Sequence, residues 1–211
     1  MKFEQIMDTQ EQQNPMGNIK LLQYLNEMLS VENAAKERLQ FRIEETSMSF
    51  TKQQLQKHLE ETKAQQQRLK NIIGNRGGNP TSAKADLPII NPKTETTARV
   101  DEMVESATTT EEKKESIKSI VDETENVMMK PEKELMEVKQ DAIIENAEIV
   151  AYKMLIDVAA KVNAEDAIIV LKQNLQEEES MFNSIMTNTP RMLDQLWRYI
   201  ESSAGTRTLN A

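Results

Sequence analysis

Two stretches of this chain, residues 18–73 and 132–189, contain neither glycine nor proline, and they constrain the fold more than any other feature. The glycines stand at 17, 74, 77, 78 and 205 and the prolines at 15, 80, 88, 92, 131 and 190, all outside those stretches. Proline removes a helical hydrogen bond and glycine weakens a helix interior, so both stretches are open to long helices. Composition agrees. Leu, Met, Ala, Glu, Lys and Gln dominate, and aromatic residues are only 4%, which leaves little of the enrichment that strands need.

Apolar residues recur at helical spacing through both stretches. In the first, Leu22, Leu25, Met28/Leu29, Ala35, Leu39 and Ile43 mark one helix that ends near Thr46–Ser49. Ser49 or Thr51 can cap a second helix running to about Ile73 on Leu55, Leu59, Leu69 and Ile72/Ile73. In the second stretch, Pro131 suits the first turn of a helix reaching about Val162 on Ile144, Ala147, Ala151, Leu155 and Val158. Asn163 makes a turn, and a fourth helix follows to about Thr187 on Ile168, Leu171, Leu175, Met181/Phe182 and Ile185. Pro190 opens a short final helix with Leu193, Leu196, Trp197 and Ile200.

The expected organisation is a loose tail over 1–16, a first hairpin over 17–73 and a polar crossover over 74–130. The crossover carries a marginal amphipathic helix at 110–128 on Ile117, Ile120, Val121 and Val127. A second hairpin over 131–187, a C-terminal helix over 188–203 and a frayed tail over 204–211 complete the chain. Two hairpins joined by one long crossover make an all-α, antiparallel four-helix bundle of ferritin-like connectivity. A coiled-coil scaffold fits worse, because the apolar repeats break at definite turns.

Charge and residue usage narrow the function classes. A net charge of −9 opposes binding to nucleic acid or an anionic membrane. The absence of cysteine excludes disulfides, thiolate metal sites and thiol chemistry. No segment reads as a signal peptide or membrane span, so a cytoplasmic protein is expected.

The apolar stripes contain carboxylates. Glu32 lies on the line of Leu25, Met28, Ala35 and Leu39; Glu148 on that of Ile144, Ala151 and Leu155; Glu178 on that of Leu171, Leu175, Phe182 and Ile185. A carboxylate so placed loses hydration and must be protonated, paired or bound to a cation. Glu32 and Glu61 stand at similar distances on either side of the first turn, as do Glu148 and Glu178 about the second, so each pair falls at one level. Four carboxylates converging in a bundle is the arrangement that holds two bridged iron or manganese ions. His58, the only histidine, is one turn before Glu61, and Glu145 is one turn before Glu148, so both join the candidate ligands. Each also has a plainer reading: Glu61 as a solvated residue, His58 as a boundary residue. A faint echo between residues 31–35 (VENAA) and 144–148 (IENAE) pairs Glu32 with Glu145 rather than Glu148, which leaves open which of the two is a ligand. Tyr152 and Trp197 read as packing residues.

Residues 21–35 (LLQYLNEMLSVENAA) resemble the first helix of the YciE/YciF ferritin-like family. Residues 58–69 (HLEETKAQQQRL) are similar to its second-helix signature, 145–152 (ENAEIVAY) to its third and 175–179 (LQEEE) to its fourth. The resemblance covers about 18–73 and 140–187. It implies a ferritin-like bundle, often dimeric, associated with stress responses and without a firmly assigned reaction. It also implies a metal site on Glu32, Glu61, Glu148 and Glu178, with His58 and Glu145 nearby. Gln65 and Asn146 stand where relatives often have histidine, and Ala147 replaces a common aromatic residue. Two functions are therefore expected to compete. One is a dinuclear iron or manganese protein acting in metal oxidation or peroxide reduction. The other is a non-catalytic stress protein that dimerises or binds a partner and carries no metal. No small-molecule substrate is identifiable.

Overall fold

The computed structural model describes residues 15–88 and 130–207. It contains four α-helices: α1 (Pro15–Glu45), α2 (Ser49–Asn75), α3 (Lys130–Lys161) and α4 (Glu165–Arg207). No strand occurs among the described residues, and none of their helices is long and apolar enough to cross a membrane. The expected marginal helix at 110–128 lies outside the described residues.

Helix α1 begins at Pro15, where the missing N–H would have had no helical partner anyway, so it starts inside the segment expected to be a loose tail. The link to α2 is Thr46 to Met48. Thr46 N–H donates to Arg42 O at 3.0 Å, and Met48 N–H donates to Thr46 Oγ1 at 3.3 Å. Met48 occupies the N-cap of α2 without a side-chain cap, so Ser49 and Thr51 lie within the helix rather than capping it.

Helices α2 and α3 end in the same way. At the first, Gly77 is left-handed (φ 76°), Gly78 N–H donates to Ile73 O at 2.9 Å and Gly77 N–H to Gly74 O at 3.0 Å. At the second, Asn163 is left-handed (φ 54°), Ala164 N–H donates to Ala159 O at 2.9 Å and Asn163 N–H to Ala160 O at 3.2 Å. Both are Schellman motifs, which satisfy the last carbonyls and reverse the chain. Ala164 and Ala159 are themselves buried, so the second motif is fastened to the core. Glu165 and Asp166 then place negative charge at the α4 N-terminus, where the helix dipole favours it.

The chain divides into two compact units. The first comprises residues 1–87 and 147–179, the second 88–146 and 180–211. The first unit is a helical bundle of α1, α2, the second half of α3 and the first half of α4. Leu21, Leu25, Leu29, Leu69, Ile73, Tyr152, Ala159, Ala167 and Leu171 are wholly or almost wholly buried at its centre. After α2, residues 79–88 run along α1. Thr81 N–H donates to Asn26 Oδ1 at 2.7 Å, Asn33 Nδ2 to Ala83 O at 2.8 Å, and Ala85 N–H to Ser30 O at 2.9 Å. A β-carbon on Gly78 would come within 2.7 Å of Leu22 Cδ2, so a side chain there would have to displace that methyl group. This part of the crossover is thus held by specific bonds, where the composition suggested loose chain.

In the second unit the outer halves of α3 and α4 bury Val138, Ile144, Met181, Ile185 and Met192. Here the structure corrects one expectation. Pro190 does not open a separate helix; α4 continues through it to Arg207. Proline leaves a helical carbonyl without its donor. Nearby, Thr187 Oγ1, Asn188 Nδ2 and Thr189 Oγ1 donate to the carbonyls of Asn183, Ser184 and Ile185 at 2.8, 2.9 and 2.9 Å. Beyond the proline Met192 is buried, so the continued helix is fastened to the core of its unit.

Candidate functional site

Three helices bring chemistry-bearing side chains to one place in the first unit. His58 on α2, Glu148 on α3 and Glu178 on α4 are 1%, 2% and 1% exposed, and their candidate ligand atoms lie within 4.8 Å of one another. Glu145 is buried too; it precedes Glu148 by one turn of α3, and the two carboxylates meet the same distance limit. Glu32 and Glu61 stand outside that group.

The histidine sits between two carboxylates. Its Nε2 is 3.4 Å from Glu178 Oε2, and its Nδ1 is 3.4 Å from Glu61 Oε2. A neutral imidazole has one N–H and one lone pair, so it can donate to only one of these. The other nitrogen faces its carboxylate across a proton, carried by the imidazolium or by the carboxylic acid, or across a shared cation. Two donors bonded to one first-row ion at about 2.1 Å stand roughly 3.0–3.5 Å apart, which is the separation found here.

Glu61 is half-buried and also pairs with Lys57 at 2.8 Å. The hydrogen bond to His58, and then the ammonium of Lys57, outweigh its burial and hold its carboxyl below the usual range. Glu32 is buried, and it accepts a hydrogen bond from the Tyr152 hydroxyl. Asn174 Nδ2 donates to that same hydroxyl oxygen at 2.9 Å. Burial, then the charges of Glu32 and Glu178, push the Tyr152 phenol well above its ordinary value. Gln65 Nε2 donates to Glu178 Oε1, and Gln66 Nε2 donates to the Glu32 carbonyl at 3.2 Å and to Asn33 Oδ1 at 2.8 Å. Nearer the surface, both Arg68 Nη atoms meet the Glu177 carboxylate, at 3.0 and 2.6 Å, and tie α2 to α4.

One observation bears on whether a cation fits. Among the described residues, Gln65 Oε1 and Asn174 Oδ1 are buried acceptors with no hydrogen-bond donor. Such a set is rich in oxygen acceptors, and oxygen with one imidazole is donor chemistry that iron and manganese take. The residues fit the group.

Sequence reasoning missed Asn174 and the role of Tyr152, and marked Gln65 only as standing where relatives often have histidine. A signal existed for each. Gln65 follows His58 by seven residues, Tyr152 follows Glu148 by four and Asn174 precedes Glu178 by four, so each shares a face with a candidate ligand.

The first unit is thus a bundle whose core is crossed by a belt of buried acid, amide and phenol groups around one histidine. The chain belongs to the family described as a domain of unknown function, DUF892, which matches residues 19–88 and 92–196; this is the YciE/YciF-like group that the four helix motifs resemble. No curated protein sequence matches. Among solved structures, the fold is similar to that of a Xanthomonas campestris pv. campestris protein (TM-score 0.60, 14% identity, covering 88% of this chain and 99% of that one). It is also similar to YcfI from Rhodopseudomonas palustris (0.54, 22%, 81% and 93%). The Escherichia coli stress protein YciF is a further match (0.56, 17%, 84% and 97%).

Proposed function

We propose that this protein is a ferritin-like, stress-associated metal protein that binds iron or manganese in the core of its bundle. The observation that carries the proposal is the buried meeting of His58, Glu148 and Glu178, with candidate ligand atoms within 4.8 Å of one another. Burying that much negative charge is unfavourable unless protons or cations offset it. Glu145, on the same helix as Glu148, supplies a further carboxylate to the first ion. Glu32 and Glu61, which stand outside that group and touch Tyr152 and His58 respectively, would be the carboxylates left for a second ion. When bound, a pair of such ions supplies one-electron redox chemistry toward oxygen or peroxide. The burial of His58, Glu148 and Glu178 would keep an ion there from water, and Gln65 and Tyr152 fix the Glu178 and Glu32 carboxylates by hydrogen bonds.

The association with stress rests on YciF, and a homodimer, as the resemblance implies, is part of the same proposal. Elemental mass spectrometry of protein grown with iron and manganese tests the metal. One to two ions per chain are expected, with most of the metal lost in Glu148→Gln and Glu178→Gln. A metal-free wild type excludes the reading. In that case the buried hydrogen bonds from Tyr152 to Glu32 and from Gln65 to Glu178 favour the non-catalytic alternative, a bundle whose core acids are neutralised by protons.

A further inference from the structure

On the first unit, apart from the acidic core, lies an open cavity of about 400 Å³ with the opposite charge. Its wall is made by Lys36, Glu37 and Gln40 of α1, Lys70 of α2, and Thr81, Ser82 and Lys84 of the segment that follows α2. Glu37 is occupied by Lys84 at 2.8 Å. Lys36 and Lys70 are half-buried, and among the described residues neither forms an ion pair or hydrogen bond. Three ammonium groups against one carboxylate leave the cavity two charges positive, on a chain whose net charge is −9.

Like charges facing one space repel, and an anion placed between them relieves that repulsion. Here the cavity wall is also fixed. The bonds from Asn26, Asn33 and Ser30 of α1 to Thr81, Ala83 and Ala85 hold residues 81–85, and Ala83 N–H donates to Thr81 Oγ1 at 3.0 Å. Accepting that bond leaves the Thr81 hydroxyl proton to be donated elsewhere.

We propose that this cavity is a binding site for a phosphate-bearing small molecule. Lys36 and Lys70 take the phosphoryl oxygens, and the Thr81 and Ser82 hydroxyls and the Gln40 amide meet the polar remainder. The volume favours a phosphate ester over the free ion, because cavities for small molecules start at about 300 Å³ and inorganic phosphate fills only part of that.

Calorimetric titration tests the site, with glucose 6-phosphate, inorganic phosphate and glucose as probes, in both chelated and iron-loaded protein. The sugar phosphate is expected to bind at least tenfold more tightly than inorganic phosphate, and glucose not at all. The same affinity is expected with and without metal, which separates this site from phosphate bound at the core ions. The double substitution Lys36→Gln, Lys70→Gln should weaken binding by more than tenfold with helical content unchanged, while Lys20→Gln, outside the cavity, should leave it unaltered. Ser82→Asp, which adds a negative charge to the wall, should weaken it as well. Failure of both phosphates to bind wild type at millimolar concentration, or equal binding by the lysine double variant, overturns the proposal.

Discussion

Tyr152 shows how much a single buried polar side chain decides. Its hydroxyl gives a hydrogen bond to Glu32 and receives one from Asn174, and all three residues are at most 1% exposed. Tyr152→Phe removes an acceptor from Asn174 and a donor from Glu32 at once, so it should cost about 1–3 kcal/mol, measurable as a lower denaturant midpoint at unchanged slope. A pH dependence follows from the same contacts. Burial and the two carboxylates raise the phenol well above its ordinary value, so the folded state retains a proton that the unfolded state releases. The corresponding stability is intact below about pH 10 and is lost as pH rises beyond it. One tyrosinate absorbance step should therefore coincide with loss of helical circular dichroism, and a Tyr152→Phe variant should lack it. At this scale the sequence was only partly legible. Glu32 and Glu178 stood out because charged residues broke apolar lines. On α2 the buried face itself is polar at His58, Thr62, Gln65 and Gln66, so hydropathy could not place Gln65 in the core or decide which way Glu61 turns.

At the scale of the elements, the two hairpins rest on two helix stops that use the same geometry and different residues. Gly77 takes φ 76° without strain, while Asn163 takes φ 54° with a side chain that tolerates it less well. Gly77→Ala should therefore destabilise by about 1–2 kcal/mol, and Asn163→Gly should be neutral or stabilising by a few tenths. Chemical denaturation of the two variants side by side checks the ranking, and an unaffected Gly77→Ala would contradict the Schellman assignment. These stops were legible because glycine and asparagine announce left-handed backbone before any packing is known. The course of α4 through Pro190 was not legible. Proline normally marks a boundary, and only the observed backbone, with Met192 buried beyond the proline, reveals that the helix continues. The division into two units, falling at Asn146 and Glu179 inside continuous helices, has no linker to signal it either.

For the molecule as a whole, the candidate ligands matter less for their number than for their distribution. His58 belongs to the first hairpin, Glu148 and Glu178 to the second. An ion held by all three therefore ties together two hairpins whose connection in sequence runs from residue 76 to 129. Unfolding the bundle must release that ion, so metal binding adds to stability as ligand binding to the folded state does, by about 2.7 kcal/mol at a hundredfold excess over the dissociation constant. For a chain of this length that corresponds to a rise in melting temperature of roughly 5–10 °C over chelated protein. The sign reverses in variants that relieve the buried charge. Glu178→Gln keeps an acceptor for Gln65 while removing a charge, so the chelated variant should melt at or above chelated wild type, yet gain little from added iron or manganese. Differential scanning calorimetry of both proteins, chelated and metal-loaded, separates the cases. A large metal-dependent shift confined to wild type supports a core cation centre, whereas equal melting of all four samples means that protons alone offset the charge of the core acids.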